Sequence, residues 1–357
     1  MRILVCGGAG YIGSHMVRWL GERGHAVVVL DNLSTGHREA VQWGELVRGD
    51  LLHPVTLDEV FAGGRFDAVM HFCARSLVGE SVADPYAYYA NNVVGTLNLL
   101  QAMRRYGVDR LVFSSTAAVF GHPQAAMIDE DHPKAPINPY GASKLMVERI
   151  LADAAHAYGL RSVALRYFNA AGATSDACLG EAHMCETHLI PNVLKSVLGA
   201  GAPLKVFGDD YATPDGTCVR DYVHVEDLAQ AHLLALAHLA SHEGAHAFNL
   251  GNGQGFSVAQ VIAAVERVTG RPVAYEVAPR RPGDPDSLVA SSHRARRVLG
   301  WTPLWTGLEP IIESAWNWHR RQAFGERRAV AELPVGSASL LPAEPFREQV
   351  PVPAGVG

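Results

Sequence analysis

The chain has 357 residues, of which 48% are hydrophobic and 18% charged, a composition ordinary for a globular enzyme of one large or two moderate domains. Its net charge of −6 leaves no basic surplus, which argues against nucleic acid or an anionic membrane surface as a partner. The five cysteines lack paired spacing, no apolar run reaches bilayer-spanning length, and the opening "MRILVCGG" lacks signal-peptide features. We therefore expect a cytoplasmic protein without disulfides.

The first half of the chain alternates short β-branched runs with longer helical patterns. Strands are predicted at "RILVCGG", "HAVVVLDN", "LVRGD", "FDAVMHFCA", "RLVFSSTA" and "SVALRYFNA", which are compact apolar runs typical of sheets buried on both faces. Helical periodicity between them marks "YIGSHMVRWLGERG", "PYAYYANNVVGTLNLLQAMRRYG" and "SKLMVERILADAAHAYG". Alternating strands and helices form parallel sheets, so we predict an α/β fold with a Rossmann-type, doubly wound parallel sheet.

After about residue 170 this alternation ends. Loops rich in Gly, Pro and Asp separate shorter helical patterns such as "VEDLAQAHLLALAHLA", "SVAQVIAAVERVTG" and "LEPIIESAWNWHRRQ". We predict a sheet domain over 1–170, which takes back short later segments, and a smaller C-terminal substrate-binding domain over 171–329 at the carboxyl ends of the strands. Prolines among Ala, Val and Gly without periodicity predict a disordered tail over 330–357.

A glycine-rich turn follows the first predicted strand. In "GGAGYIGSH", Gly7, Gly10 and Gly13 are spaced by three and a helix follows, as required where a backbone turn and a helix N-terminus approach a pyrophosphate. Asp31 ends the second strand eighteen residues after Gly13, where a carboxylate binds ribose hydroxyls and repels the extra phosphate of NADP. The next arginine is as distant as Arg38. The sequence therefore predicts NAD as the cofactor.

A tyrosine and a lysine stand four residues apart in "PINPYGASK". On a helix, Tyr140 and Lys144 lie on one face, one turn apart. A nearby ammonium favours the phenolate, so Tyr140 is a candidate proton acceptor. The same spacing occurs by chance on many amphipathic helices, so the interpretation depends on the nucleotide site predicted above.

The ordered series of motifs resembles the extended short-chain dehydrogenase/reductase family of NAD-dependent epimerases and dehydratases, from Met1 to about Gln322. The motifs are "GGAGYIGSH", "LDNLS", "HFCARSLVGESV", "NNVVGT", "FSSTAAVFG", "PYGASKLMVE", "LRYFNAAGA", "CVRDYVHVEDLA" and "APRRPGD". The most similar branch interconverts UDP-galactose and UDP-glucose in galactose metabolism. The resemblance implies transient oxidation at sugar carbon 4, rotation of a 4-keto intermediate and hydride return. It also implies a homodimer formed through the second and third predicted helices.

The resemblance further implies roles for individual residues. Tyr140 is implied as the catalytic acid/base, with Lys144 as its partner and Thr116 as a catalytic hydroxyl. The residues implied or predicted to bind NAD are Gly7, Gly10, Tyr11, Ile12, Gly13, Asp31, Asn32, Asp50, Leu51, Phe72, Asn91, Tyr140, Lys144 and Phe168. The residues implied to bind the UDP-sugar are Thr116, Tyr140, Asn169, Leu189, Arg220, Arg281 and Asp284. The two arginines suit a diphosphate because guanidinium groups bind phosphate oxygens through paired donors.

The chain departs from the family pattern at three positions. Thr116 stands where a serine is frequent, and its hydroxyl supplies the same hydrogen bonds. Ser76 replaces a lysine near the cofactor phosphates, with Arg75 beside it. Leu288 stands where some members have a tyrosine on the sugar pocket wall. A smaller wall residue leaves room for an N-acetyl group, which gives the hypothesis that UDP-N-acetyl sugars are also substrates.

Other functions remain open at this stage. Dehydratases need an Asp-Glu pair directly after the strand-end threonine, where Ala117 and Ala118 cannot transfer protons, and a decarboxylase commonly has a glutamate there. Epimerases of UDP-N-acetylhexosamines, UDP-pentoses or UDP-uronic acids are excluded less firmly. A non-catalytic NAD sensor is a further alternative, although such proteins often lose the tyrosine or lysine that is present here.

One segment contains residues that also occur as metal ligands. His183, Cys185 and His188 stand in "HMCETH", a spacing that matches no common zinc pattern. The segment is therefore predicted to be an ordinary polar loop, and no metal is predicted.

Overall fold

The computed structural model describes residues 1–200, 203–281 and 283–321. Within these residues the largest sheet has seven parallel strands. Its strands are β1 (Arg2–Cys6), β2 (Ala26–Asp31), β3 (Glu45–Arg48), β4 (Ala68–His71), β5 (Arg110–Thr116), β6 (Arg161–Tyr167) and β10 (Ala245–Leu250). Their order in the sheet is β3-β2-β1-β4-β5-β6-β10. The six predicted strands and the doubly wound α/β class are confirmed. The predicted tail lies outside the described residues.

Eleven α-helices occur in the described part of the chain. They are α1 (Tyr11–Gly21), α2 (Pro54–Ala62), α3 (Val78–Ala83), α4 (Pro85–Tyr88), α5 (Gly95–Arg105), α6 (Pro139–Tyr158), α7 (Leu189–Val197), α8 (Val225–His238), α9 (Val258–Thr269), α10 (His293–Leu299) and α11 (Leu308–His319). None of these helices is both long and apolar enough to cross a membrane.

The helix predicted across "PYAYYANNVVGTLNLLQAM" is not continuous, because a π-helical segment, Tyr89–Val94, separates α4 from α5. Within this segment the buried side chain of Asn92 accepts a hydrogen bond from the Arg75 backbone N–H at 2.9 Å. It donates to the Arg75 carbonyl at 3.0 Å and to the Ser143 hydroxyl at 2.9 Å. The wider turn thus lets a polar side chain join three elements in the interior, which periodicity alone does not reveal.

Helices cover both faces of the large sheet, as the alternation of side chains along β1 shows. Ile3 and Val5 pack with apolar residues of α1, α8 and α10, whereas Leu4 and Cys6 pack with those of α2, α5 and α6. A parallel sheet buried on both faces requires such continuous apolar strands. The polar ends of the strands are therefore left for a site at the carboxyl edge.

A second group of elements is built from short strands. The strands are β7 (Asn169–Ala171), β8 (Leu204–Phe207), β9 (Val219–His224), β11 (Gly255–Ser257), β12 (Tyr275–Ala278) and β13 (Ser287–Leu288). β9 pairs with β7, β11 and β13, and β8 pairs with β12. Apolar residues of α7, α9 and α11 share a separate core with this group. Since α8 and β10 pack with the large sheet, the chain after residue 170 contributes to both groups.

Candidate functional site

The turn between β1 and α1 requires glycine at two of the predicted positions. Gly7 has φ +82°, and a Cβ there would lie 2.7 Å from the backbone nitrogen of Cys73. A Cβ on Gly13 would lie 2.1 Å from the carbonyl oxygen of Gly7. Gly10 is the N-cap of α1 and provides no side-chain acceptor for the first amides. The turn therefore fits a bound pyrophosphate, since it combines tight backbone approach with unoccupied helix N-terminal donors.

Asp31 lies at the carboxyl end of β2, beside this turn. Its carboxylate accepts hydrogen bonds from the backbone N–H of Ala9 at 2.9 Å and of Leu33 at 2.8 Å. Burial raises the pKa of this carboxyl, and the two backbone donors partly offset that effect. Each oxygen keeps a second lone pair, so the group can still accept ribose hydroxyls. Asn32 donates to the Asp50 carboxylate at 2.8 Å, which joins two further predicted cofactor residues.

The remaining predicted cofactor residues lie at or near the same carboxyl edge. Leu51 is buried after β3, and its carbonyl accepts from Asn98 at 2.9 Å. Phe72 follows β4, and Phe168 follows β6 and packs on a small apolar cluster. Asn91 lies in the π-helical segment and donates to Asn92 at 2.9 Å. At the start of α1, the Tyr11 hydroxyl donates to the Gly172 carbonyl at 2.6 Å and Ile12 packs on the core.

The predicted acid/base lies where α6 begins, next to the end of β5. Asn138 is the N-cap of α6 and accepts from the Gly141 N–H at 2.9 Å, and Pro139 occupies the first turn. Thr116 ends β5, and its hydroxyl accepts from the Ala118 N–H at 3.1 Å. Burial raises the pKa of the Tyr140 phenol, and a hydrogen bond with the Thr116 side chain lowers it in part. The structure therefore brings together the phenol and the hydroxyl predicted to act on one substrate oxygen.

Lys144 is buried one turn further along α6. Its ammonium donates to the Ser114 carbonyl at 2.7 Å and lies 4.7 Å from the centre of the Phe113 ring. Burial lowers the pKa of this amine to about 7. The lysine was predicted to favour the Tyr140 phenolate, but in the folded chain burial dominates both groups and favours their neutral forms. Tyr140 thus keeps its proton at neutral pH in the chain alone, and added positive charge nearby, such as an oxidised nicotinamide ring, would favour its phenolate.

The predicted substrate arginines meet at one carboxylate. Arg220 in β9 and Arg281 in the loop between β12 and β13 lie with Nη2 and Nε, respectively, 3.4 Å from the two oxygens of Asp284. The Arg220 side chain is 14% exposed, whereas that of Arg281 is 58% exposed and its guanidinium lies 4.6 Å from the centre of the Phe207 ring. Two guanidinium groups held by one acid form a cationic surface that suits a diphosphate.

Four other residues singled out from the sequence lie in different elements. Asn169 in β7 donates to the Asp221 carbonyl at 2.9 Å, and Leu189 begins α7. Leu288 in β13 pairs with Arg220 in the sheet and packs on the apolar cluster that also contains Phe168. Arg75, the alternative phosphate ligand, is exposed and forms an ion pair with Glu80 at 3.1 Å. The structure thus places five of the residues implied to bind substrate, Asn169, Leu189, Arg220, Arg281 and Asp284, with the short-strand group, whereas Thr116 and Tyr140 lie beside the large sheet.

Two buried acids that support the site were missed by sequence reasoning. Glu148, one turn after Lys144 on α6, accepts from the Ser115 hydroxyl at 2.5 Å and forms an ion pair with Arg166 at 2.5 Å. Asp221, next to Arg220, accepts from backbone N–H groups of three residues after β10 and β13. Glu148 follows Lys144 at i+4, which was the available signal, but nothing in the local pattern identifies the partners of Asp221.

Comparison with known proteins places these features in a family. The NAD dependent epimerase/dehydratase family matches residues 3–251. The UDP-glucose 4-epimerase of Halalkalibacterium halodurans is 51% identical over 325 residues, which cover 91% of this chain and 97% of that protein. The crystal structure of UDP-glucose 4-epimerase from Brucella ovis in complex with NAD has a TM-score of 0.86 at 50% identity, covering 88% of this chain and 97% of that one. The chain therefore belongs to the NAD dependent epimerase/dehydratase family.

Proposed function

We propose that the protein is an NAD-dependent UDP-glucose 4-epimerase, which interconverts UDP-galactose and UDP-glucose in galactose metabolism. The observation that carries the proposal is that Thr116 at the end of β5 and Tyr140 and Lys144 at the start of α6 come together at the carboxyl edge of the sheet. Identity of about half over almost the whole length of UDP-glucose 4-epimerases supports the same reaction.

NAD binds along the β1–α1 turn in this proposal, with its adenosine ribose at Asp31 and its nicotinamide ribose near Tyr140 and Lys144. When bound, NAD supplies reversible two-electron oxidation at sugar carbon 4, which carries no acidic hydrogen. Each carboxylate oxygen of Asp31 accepts one backbone hydrogen bond and can accept a second one from a ribose hydroxyl, while its negative charge repels a 2′-phosphate. Residues 1–170 with α8 and β10 are proposed as the NAD-binding domain, and the other segments up to 329 as the substrate-binding domain.

Tyr140 acts as the base that removes the proton from the sugar 4-hydroxyl and later returns it. Thr116 donates a hydrogen bond to the same sugar oxygen and thereby orients it toward the phenol. Lys144 would bind the nicotinamide ribose and, in its protonated form, favour the Tyr140 phenolate together with the positive nicotinamide. The Ala117 and Ala118 side chains that follow carry no acid or base, so elimination of water has no catalyst at this position.

The substrate is held mainly by its UDP part. Arg220, Arg281 and Asp284 bind the diphosphate side, while Asn169 and Leu288 line the sugar side. A firm grip on the diphosphate and few charged contacts to the hexose allow the 4-keto sugar to rotate and present its other face. The leucine at position 288 supports the second candidate, in which UDP-N-acetylglucosamine is also epimerised.

The test is conversion of UDP-galactose to UDP-glucose by purified protein without added cofactor. We expect activity in wild type, a loss of at least about 100-fold for Tyr140→Phe, and near-normal activity for Tyr158→Phe. Tyr158 is a matched control because it lies at the exposed end of the same helix. A 4-keto-6-deoxy product would instead indicate a dehydratase. NAD binding without conversion of UDP-galactose would contradict the UDP-glucose 4-epimerase assignment, and turnover of UDP-N-acetylglucosamine in parallel assays would indicate the second candidate.

We also propose that the enzyme is a cytoplasmic homodimer formed through α4, α5 and α6. Tyr86, Val94 and Met146 support this proposal, because they are apolar residues of this region that are 84%, 47% and 47% exposed. The five free cysteines are consistent with a reducing compartment. Sedimentation velocity is expected to give a dimer for wild type and a monomer for Val94→Glu/Met146→Glu. A monomeric wild type at micromolar concentration would contradict the proposal.

A further inference from the structure

Four side chains between β7 and α7 converge on one point. Glu181, His183, Glu186 and His188 each offer a ligand atom, and these atoms all lie within 4.8 Å of one another. The Nδ1 atom of His183 is 3.2 Å from Glu181 and 3.4 Å from Glu186, and that of His188 is 2.8 Å and 2.9 Å from the same two carboxylates. Each imidazole therefore faces both acids through the same nitrogen.

The two carboxylates are buried together. The Glu181 and Glu186 side chains are 5% and 4% exposed, and within the described residues their ion pairs are with the two histidines and none with Lys or Arg. Two adjacent carboxylates away from water repel each other and require compensating positive charge. That charge comes either from protons on both imidazoles or from one divalent cation.

We propose that Glu181, His183, Glu186 and His188 bind a divalent transition-metal ion of the zinc class. Two neutral imidazoles and two carboxylates form a donor set of mixed nitrogen and oxygen that suits such an ion and cancels its charge. Tetrahedral coordination at about 2.0–2.2 Å separates neighbouring ligand atoms by about 3.4 Å. The distances from His183 already match this value, and those from His188 need to lengthen by about half an ångström.

This inference revises the expectation of an ordinary polar loop. Cys185, which lies between the two histidines in sequence, is exposed and does not belong to the cluster. The two acids complete the pattern Glu-x-His-x-x-Glu-x-His over residues 181–188. The spacing of Cys185 and the two histidines alone does not match a metal site. The two glutamates complete the donor set because their side chains turn inward.

The position of the cluster suggests a structural role for the ion. Trp318 of α11 donates to the Glu181 carbonyl at 2.9 Å, and a ring nitrogen of His37 is 2.7 Å from the Ala182 carbonyl oxygen. His188 is the N-cap of α7, which Leu189 begins. A metal ion would thus join a loop that contacts the segment after β2 to the start of α7. The metal site does not depend on the proposed catalytic function.

The proposal is tested by isothermal titration calorimetry. Zinc alone is titrated into the full-length protein after treatment with a chelator. A second group of histidines could also bind zinc, and the experiment must control for it. The ring centres of His242 and His246 lie 3.8 Å and 4.8 Å from that of His238 at the end of α8. The reference is therefore the variant His242→Gln/His246→Gln. We expect it to bind one zinc per chain, and the further changes Glu181→Gln/His188→Gln to weaken binding at least about 100-fold.

The proposal would be overturned if the reference variant bound no zinc. It would also be overturned if the added substitutions Glu181→Gln/His188→Gln left zinc affinity unchanged. If the site variant is misfolded by circular dichroism, Glu186→Gln replaces it with the same expectations. X-ray absorption of the zinc-loaded reference variant gives an independent result. A shell of nitrogen and oxygen at about 2.0–2.2 Å would support the site, whereas sulfur at about 2.3 Å would indicate cysteine binding and contradict it.

Discussion

Thr116 and Tyr140 form a side-chain pair whose hydrogen bond bears directly on the ionisation of the base. This bond lowers the pKa of the phenol, while burial raises it. Removing the hydroxyl in Thr116→Ala should therefore raise the pKa of Tyr140 further. The acid limb of the kcat/KM profile, which reports the free enzyme, is expected to move to higher pH, and kcat at pH 7 is expected to fall by about 10- to 1,000-fold because the sugar oxygen loses the Thr116 donor.

The control for this prediction is Thr116→Ser, which keeps the hydroxyl without the methyl group. It is expected to restore both the position of the acid limb and most of kcat. Measurement of kcat and kcat/KM for the three proteins, up to about pH 10.5 because the pKa of Tyr140 lies above the ordinary phenol value of 10.0, decides the matter. An alanine variant with reduced kcat but an unmoved acid limb would show that Thr116 orients the sugar without tuning Tyr140.

At the scale of elements, the π-helical segment between α4 and α5 is held by one buried amide. Asn92 contacts the Arg75 backbone twice and Ser143 of α6 once. Asn92→Ala leaves the Arg75 N–H and carbonyl without this partner, whereas Ser143 keeps its hydrogen bond to the Tyr140 carbonyl, so we expect a loss of about 1–3 kcal/mol in the free energy of unfolding. Asn98→Ala is the matched control, because Asn98 is only half-buried and donates one hydrogen bond to the Leu51 carbonyl.

Urea unfolding of the two variants and wild type checks this prediction. We expect the Asn92 variant to lose clearly more stability than the Asn98 variant. Equal losses would mean that the hydrogen bonds of Asn92 do not set the stability of the segment. Retained NAD content should be measured in the same samples, since Asn91 in the same segment is a predicted cofactor residue.

The elements differ in how far sequence predicts them. Five of the six early strands are predictable because each contains an apolar run buried on both faces, whereas β3 lies at the sheet edge and is only partly buried. The seventh strand, β10, reads "AHAFNL", and its polar residues conceal a strand whose place depends on pairing with β6, distant in sequence. The strands β7, β11 and β13 are only two or three residues long and pair with β9. Local pattern cannot specify such non-local pairing.

The residues of the candidate site also differ in how far the sequence predicts them. The glycine turn, Asp31 and the Tyr140–Lys144 pair are readable from the sequence because each has a local spacing with a physical reason. The backbone partners of Asp221 are brought to it only by the fold, and the inward orientation of Glu181 and Glu186 also depends on the fold, although both lie within residues 181–188. Sequence therefore predicts the cofactor half of the site better than the supports of the substrate half.

At the scale of the whole molecule, Asp221 links the short-strand group to the large sheet. It lies in β9, and its carboxylate accepts from the N–H groups of Asn252 at 2.8 Å and Gly253 at 3.1 Å, just after β10. The same carboxylate accepts from the Ala290 N–H at 3.1 Å. One carboxylate oxygen accepts hydrogen bonds from the N–H groups of both Gly253 and Ala290. An amide nitrogen in the place of this oxygen would face two donors and could accept from neither. Asp221→Asn is therefore expected to destabilise the protein by about 2–4 kcal/mol at pH 7.

The cost of this substitution should also depend on pH, with a defined sign. Burial raises the pKa of Asp221 to about 6, from an ordinary value of 3.8, against the effect of its backbone donors. Between these values the folded chain keeps a proton that the unfolded chain has lost, so the contribution of Asp221 to stability falls as pH rises. The variant has no such group. The difference in unfolding free energy between wild type and Asp221→Asn should hence be larger at pH 5 than at pH 7, by about 1 kcal/mol. Urea unfolding at both pH values measures it, and a difference that stays constant or grows toward pH 7 would contradict the assigned shift.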